Sequence, residues 1–387
     1  MVDISKPQDI FSRIRAMLVV TSDQASSKMQ AQRCRDKLEA LCSTVGIQVG
    51  GWLYFPIREF NSATYLGKGQ VEKLAFMAQE SECNLVVFNN GVSPRIQRNL
   101  EQVLDLCVVD RQEIILQIFA NRATTREARL QVELAQLQYS LPRLKRKWAN
   151  LSQQRGGVKG AKGSGEKQLE LDKRQAQERI TRLKKEIKEI SKQRDVQRRN
   201  RLQKNVPNVA IVGYTNSGKS TFLNRIADSN VLSKDMLFAT LDPTTRRVRL
   251  PNGENILLTD TVGFVSDLPH ELVDAFRSTL EEAVLANALL IILDASREDL
   301  MQCWETTTQV LKSLGAFEKP RLVLLNKMDL VTEENLFAVN AFVSTEPNCM
   351  EVSILEDKSM KTVLERIESL VFHNPLDTAD DTQEENT

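Results

Sequence analysis

The sequence predicts an α/β protein in three parts: a small N-terminal α/β domain (residues 1–120), an antiparallel helical hairpin (121–204), and a domain on a mostly parallel sheet with helices on both faces (205–372). Three observations predict it. Apolar, β-rich runs at Val209–Val212, Ile256–Thr259, Leu289–Leu293 and Leu322–Leu325 alternate with helical segments, as strands covered on both faces do. Leu130, Leu134, Leu137, Leu141 and Leu144 recur at steps of four and three, and Leu169, Ala176, Ile180, Leu183, Ile187 and Ile190 form a second stripe. Two such stripes are buried only against each other or a neighbour. Finally, Gly213-Tyr-Thr-Asn-Ser-Gly-Lys-Ser220 lies between an apolar run and a helix through Leu223 and Ile226.

Taken in order, Met17–Val20 is a short apolar run, Gln30–Cys42 has helical spacing, and Leu85–Phe88 and Leu106–Val109 are further runs, the former closed by Asn-Asn-Gly. This alternation predicts the first α/β domain. In the hairpin, Pro142 ends or kinks the first helix, because it has no amide donor and clashes with the preceding turn. Arg155 to Gly165 contains five glycines and reads as a loop. Pro207 marks a boundary, and residues 373–387, acidic and nearly free of apolar side chains, read as a disordered tail.

Composition narrows the function classes. Of 387 residues, 27% are charged and 41% hydrophobic, which suits a soluble chain. The most apolar stretch, Ala283–Leu293, is interrupted by Asn287 and falls short of the roughly 20 residues a bilayer requires. No stable membrane insertion is expected, and the N-terminus has no apolar secretory region. The six cysteines are scattered without a Cys-x-x-Cys pair, which argues for reduced thiols and a cytoplasmic location, with any membrane contact peripheral. Charge is segregated: Arg143 to Lys204 holds 21 Lys and Arg against 7 Asp and Glu in a chain of net charge +1. A local excess of 14 positive charges points the middle segment at a polyanion.

The octapeptide satisfies G-x-x-x-x-G-K-[ST] at every fixed position and sits between strand and helix, the context a P-loop requires. Backbone amides of Gly213, Tyr214, Thr215, Asn216, Ser217 and Gly218 would turn on the β-phosphate, Lys219 would reach the β- and γ-phosphates, and Ser220 would ligate Mg2+. Asp260-Thr261-Val262-Gly263 follows one apolar run, so Asp260 can hold a Mg2+ water and the Gly263 amide can sense the γ-phosphate. Asn326-Lys327-Met328-Asp329 follows another. A carboxylate there can accept hydrogen bonds from guanine N1 and N2, which adenine does not offer. In series, these elements exclude most P-loop ATPases and predict a GTPase.

At this point the sequence resembles the HflX family, in the Obg-HflX branch of translation-factor GTPases. Phe238-Ala239-Thr240-Leu241-Asp242-Pro-Thr-Thr-Arg is similar to its first switch, and the likeness extends through Asp267–Glu282, Tyr65-Leu-Gly-Lys-Gly, Thr125–Leu137 and Gly165–Arg174. The resemblance implies Thr240 as Mg2+ ligand and γ-phosphate sensor, and Val352-Ser353-Ile354 as a guanine-contacting segment. Ile354 stands where the family usually has Ala. The resemblance also implies a partner, the large ribosomal subunit, and a role in splitting or rescuing ribosomes.

Phe264 occupies the position where Ras-like enzymes keep a water-orienting glutamine, so a slow intrinsic rate raised by a partner is expected. Asn216 matches the asparagine with which potassium-stimulated GTPases ligate K+, although an asparagine also favours a tight turn on its own chemistry. Lys219, Thr240 and Asn216 are thus the candidate catalytic residues. The segment from Arg143 to Gly165 has seven cations, Trp148 and no acid. A charge run is ordinarily a solvated connection, but glycine spacing and one aromatic suit RNA phosphates and a stacked base. In the family this loop reaches ribosomal RNA near the peptidyl-transferase region, which makes Trp148, Arg155, Lys159 and Lys162 the RNA-contact candidates. DNA is not an expected partner, and a monomer is the expected state. The competing readings are an RNA-remodelling NTPase and a signalling GTPase with a protein or membrane partner.

Overall fold

The computed structural model of the chain describes residues 14–23, 28–57, 61–144, 162–202, 206–227, 238, 241–264 and 277–372. These fall into two compact units, Met1–Asn121 with Arg129–Ile187, and Arg122–Ala128 with Lys188–Thr387.

In the first unit β1 (Arg15–Asp23), α1 (Lys28–Val45), β2 (Gln48–Ile57), α2 (Lys68–Glu80), β3 (Leu85–Phe88), α3 (Pro94–Leu104), β4 (Cys107–Asp110) and α4 (Arg111–Arg122) alternate. The strands form a parallel sheet in the order β2-β1-β3-β4. Its core is made by Met17, Val19, Phe55, Leu74, Phe88, Leu100 and Val108. Helix α3 shows how local chemistry sets the bounds. Pro94 opens it, the Ser93 hydroxyl accepts from the Ile96 amide at 3.4 Å, and Asp105 stops it in the left-handed region at φ 53°. A cap of this kind contributes about 1 kcal/mol.

Helix α5 (Arg126–Ser140) ends where Pro142 predicts, in a single 3-10 turn, Leu141–Arg143. Helix α6 runs over 41 residues, Lys162–Leu202. It therefore begins before Gly163 and Gly165, which the sequence assigns to a loop. The first turn has no intrahelical partners for its amides anyway, so glycine costs less there than in the interior. Ala176, Ile180, Leu183, Ile187 and Ile190 of the second stripe lie on its less exposed side, with Leu183 buried completely. Glu133 of α5 accepts two hydrogen bonds from the Arg179 guanidinium of α6, at 2.7 and 2.8 Å. Residues 145–161, with Trp148, Arg155 and Lys159, lie outside the described residues, as do the Lys162 side chain and residues 373–387.

Arg143 departs from the sequence reading, which counted it among cations facing a polyanion. Its guanidinium donates to Gln97 Oε1 (3.0 Å), to the Tyr139 carbonyl (3.0 Å) and to the Val92 carbonyl (2.8 Å), and lies 3.6 Å from Asp110 Oδ2. Asp110, 1% exposed, also accepts from the Tyr139 hydroxyl and the Val92 and Glu113 amides. A buried carboxylate demands such donors, and Arg143 serves it.

The second unit holds β5 (Asn208–Val212), α7 (Lys219–Ile226), β6 (Thr244–Arg249), β7 (Asn255–Asp260), α8 (Arg277–Leu285), β8 (Ala288–Asp294), α9 (Leu300–Ser313), β9 (Arg321–Asn326), α10 (Glu333–Thr345), β10 (Cys349–Glu351) and α11 (Asp357–Phe372). The sheet order is β10-β9-β8-β5-β7-β6, parallel except for β6 against β7. The chain leaves central β5 for one side and later returns on the other. That topological switch opens a crevice at the carboxyl ends of the strands. Register aims chemistry at it: Asp260 pairs with Ile211, and Asn326 with Asp294.

Candidate functional site

The loop after β5 depends on glycine at both ends. Gly213 has φ 144°, and a Cβ there would strike the Ile292 carbonyl; Gly218 has φ 101°, and a Cβ would strike the Asn326 amide group. Between them Asn216, exposed, adopts φ 61°, a conformation asparagine tolerates better than most residues. Gly218 leads directly into α7 at Lys219, so the first-turn amides and the helix dipole face the crevice.

Lys219 is 6% exposed and donates to the Tyr214 carbonyl at 2.6 Å. Burial lowers its pKa to about 8, partly opposed by the Asp260 carboxylate, which raises it. The Ser220 hydroxyl donates to Asp260 Oδ2 at 2.7 Å. Next on the chain, Thr261 donates through its hydroxyl to the Ile211 carbonyl at 2.7 Å, and Val262 is buried. Gly263 admits no side chain, because a Cβ would sit 2.9 Å from both Lys219 Nζ and Thr215 Cα. Phe264 is 1% exposed. Its amide donates to the Gly213 carbonyl (3.0 Å) and its carbonyl accepts from Thr215 (2.8 Å), so this segment is zipped to the phosphate loop.

At the other end of the crevice Asn326 acts as a brace. Its Nδ2 donates to the Ser217 carbonyl at 2.8 Å, and its Oδ1 accepts from the Ile354 amide at 3.0 Å. Lys327, at φ 65°, reaches Asp294 at 2.7 Å. The Met328 amide donates to the Val352 carbonyl at 3.3 Å. Asp329 accepts from the Ser353 hydroxyl at 2.7 Å, which orients its carboxylate. The Ile354 side chain packs 3.5 Å from the position of a Cβ on Gly218, and its carbonyl accepts from Arg225 at 2.6 Å.

Of the first-switch segment, Ala239 and Thr240 lie outside the described residues; Phe238 and Leu241 are buried. The Asp242 carboxylate is taken by Thr124 and Thr125. The sequence reading missed Asp294, Arg225 and Arg297, whose guanidinium stands 5.2 Å from the Tyr214 ring. Only Asp294 carried a signal, as an acid ending an apolar strand.

Residues 32–120, 122–201 and 208–327 match three families, described as GTP-binding GTPase N-terminal, GTP-binding GTPase Middle Region and 50S ribosome-binding GTPase. The chain is 47% identical over 337 residues to the GTPase HflX of Akkermansia muciniphila, covering 85% of this chain and 77% of that one. It is 46% identical over 359 residues to that of Treponema denticola (91% of each) and 39% identical over 297 residues to that of Escherichia coli (77% and 70%). A crystal structure of SsGBP with GDP shares the fold, with TM-score 0.51 and 24% identity over 93% of this chain and 99% of that one.

Proposed function

This chain belongs to the HflX family of GTPases and hydrolyses GTP to GDP and phosphate, and from that premise we propose that its nucleotide state governs binding to the large ribosomal subunit, in ribosome splitting, rescue or biogenesis. The observation that carries the chemistry is the buried Lys219 ammonium at the mouth of α7, whose lowered pKa registers burial without a counterion sufficient to offset it. A phosphate supplies that counterion. For the partner, the support is the match of residues 208–327 to a family described as 50S ribosome-binding and the cations of the middle segment.

In this reading Lys219 and the loop amides from Tyr214 to Gly218 hold the β- and γ-phosphates. Ser220 and Asp260 are hard oxygen donors already side by side, which fits Mg2+; Ser220 would hold it directly and Asp260 through water, with Thr240 as a further ligand and γ-phosphate sensor. Mg2+, when bound, neutralises charge that develops on the phosphates. Asn326 keeps the phosphate loop and the Ser353-Ile354 segment in register, while Asp329, held by Ser353, reads guanine. Phe264 has no polar atom to orient water, so turnover depends on a partner, and Asn216 is the candidate for K+ binding. Trp148, Arg155, Lys159 and Lys162 would engage ribosomal RNA near the peptidyl-transferase region. The expected location is the cytoplasm; among the described residues no helix is long and apolar enough to cross a membrane.

The test reverses Arg155, Lys159 and Lys162 to glutamate and follows co-sedimentation with purified large subunits across a salt series, beside GTP turnover. Binding and its salt slope should fall, since each phosphate contact contributes to that slope, while intrinsic turnover stays at the wild-type level. Unchanged binding and slope would move the proposal to a protein partner, and strand displacement on naked RNA would move it to RNA remodelling.

A further inference from the structure

Between α4 and α5 the chain makes a short excursion: Arg122–Ala128 belongs to the second unit, although the residues on either side belong to the first. One carboxylate ties it there. Asp242 Oδ2 accepts from the Thr124 amide (3.2 Å), the Thr124 hydroxyl (2.5 Å) and the Thr125 amide (3.1 Å), and Oδ1 accepts from the Thr125 hydroxyl. The Thr125 hydroxyl has a second partner, since it accepts from the Ala128 amide at 3.1 Å and so satisfies an otherwise unpaired donor in the first turn of α5.

Asp242 stands at a telling place in the chain. It follows Leu241 at the end of the segment that carries Thr240, and two residues later Thr244 pairs with Asp260, the carboxylate bonded to Ser220. A loop merely needing an anchor could take any rigid strand. This one is fastened to the stretch between the candidate phosphate sensor and the strand paired with Asp260. We propose that Asp242, Thr124 and Thr125 form a joint that transmits the nucleotide state of the second unit to the first turn of α5, and so to the helical arm that leads to the basic segment.

The joint is suited to opening and closing. Thr124 and Thr125 are exposed and Asp242 half-buried, so water can replace each bond at small net cost. A displacement that carries Asp242 away removes four donors' partner at once, which makes the element two-state rather than graded. Its consequence for the ribosome rests on the function proposed above; the joint itself does not.

The experiment is amide hydrogen exchange over residues 126–131 in the full chain, with GDP and with a non-hydrolysable GTP analogue, alongside large-subunit co-sedimentation in both states. Wild type should show exchange that differs between the nucleotides, and a difference in subunit affinity within the roughly 5- to 150-fold range usual for coupled sites. Thr125→Val and Asp242→Ala should both abolish the exchange response and bring the two subunit affinities to within about twofold of each other. Thr125→Ser, which restores the hydroxyl, should retain both. Exchange across β1, β3, β5 and β8 in the same data verifies that each variant is folded. A wild-type response that persists in Asp242→Ala overturns the joint, as does loss in Thr125→Val alone, which would make Thr125 a helix cap and nothing more. A wild type whose exchange ignores the nucleotide overturns it too. If exchange responds as expected but subunit affinity is equal in both states, the joint stands and the ribosomal reading falls.

Discussion

At the carboxyl edge of the four-stranded sheet the polar groups answer one another, whereas at the same edge of the six-stranded sheet a buried charge is left for a ligand. In the first unit the Thr21 amide donates to Asn89 Oδ1 at 2.9 Å, and Asn90 Nδ2 reaches both Thr21 Oγ1 (2.9 Å) and the Tyr65 hydroxyl (2.8 Å). Asp110 is closed off by Tyr139, two backbone amides and Arg143. Lys219 is 6% exposed, and its ammonium donates to a neutral carbonyl, with the Asp260 carboxylate offsetting its burial only in part. Both edges belong to sheets that are wholly or mostly parallel. A closed network marks the one as scaffold; burial that Asp260 offsets only in part marks the other as a place for an anion.

The comparison predicts opposite signs for charge removal. Asp110→Ala should cost about 3–5 kcal/mol of unfolding free energy, because it leaves the Arg143 guanidinium buried without its partner. Denaturant melts measure that, and GDP affinity by titration should not move; a parallel loss of affinity would break the distinction. Lys219→Met should do the reverse. A pKa brought from 10.5 to about 8 corresponds to about 3 kcal/mol of unfavourable burial. The nucleotide-free protein should therefore become more stable by an amount of that order, while nucleotide affinity falls about a hundredfold or more for want of the charge-assisted bonds.

A smaller effect is expected from pH. Because the nucleotide-free pKa of Lys219 lies below its unfolded value, the folded state binds fewer protons between the two, and stability rises as pH climbs from about 8 to 10.5. Nucleotide binding, which needs the ammonium, should run the other way and weaken about tenfold between roughly pH 7 and 9. Lys219→Arg, with no titration in that range, should give a flat profile; an unchanged slope in that variant would assign the titration elsewhere. The smallest effects form a matched pair. Asn90→Ala should cost about 1 kcal/mol of stability and no affinity, and Ser353→Ala, which frees the Asp329 carboxylate, about fivefold in guanine-nucleotide affinity and little stability.

The two edges were not equally legible. Strands β5, β7, β8 and β9 are apolar runs, and the phosphate loop is a local spacing. By contrast, β2 contains Gly50, Gly51 and Pro56, which read as strand breakers. The structure gives the reason for the first: a Cβ on Gly50 would lie 2.6 Å from Cys83 Sγ and 2.8 Å from Arg15 Nε, atoms distant in the sequence. Strand β6, Thr-Thr-Arg-Arg-Val-Arg, is an exposed edge without apolar alternation, and nothing in its composition announced it. Within the site, Asn326 and Asp329 could be named from their tetrapeptide, but not the division of labour by which Asn326 braces two loops and Asp329 alone has its carboxylate steered by Ser353.

By itself the sequence determined the phosphate loop, the order of the two downstream motifs and the class of nucleotide, because each depends on backbone conformations and donors a few residues apart. Only the tertiary structure decided that Arg143 serves Asp110 across 33 residues and that Asp242 serves Thr124 across 118. A charge seeks whichever partner the topology brings near, and over such separations the chain's own spacing says nothing about which one that will be.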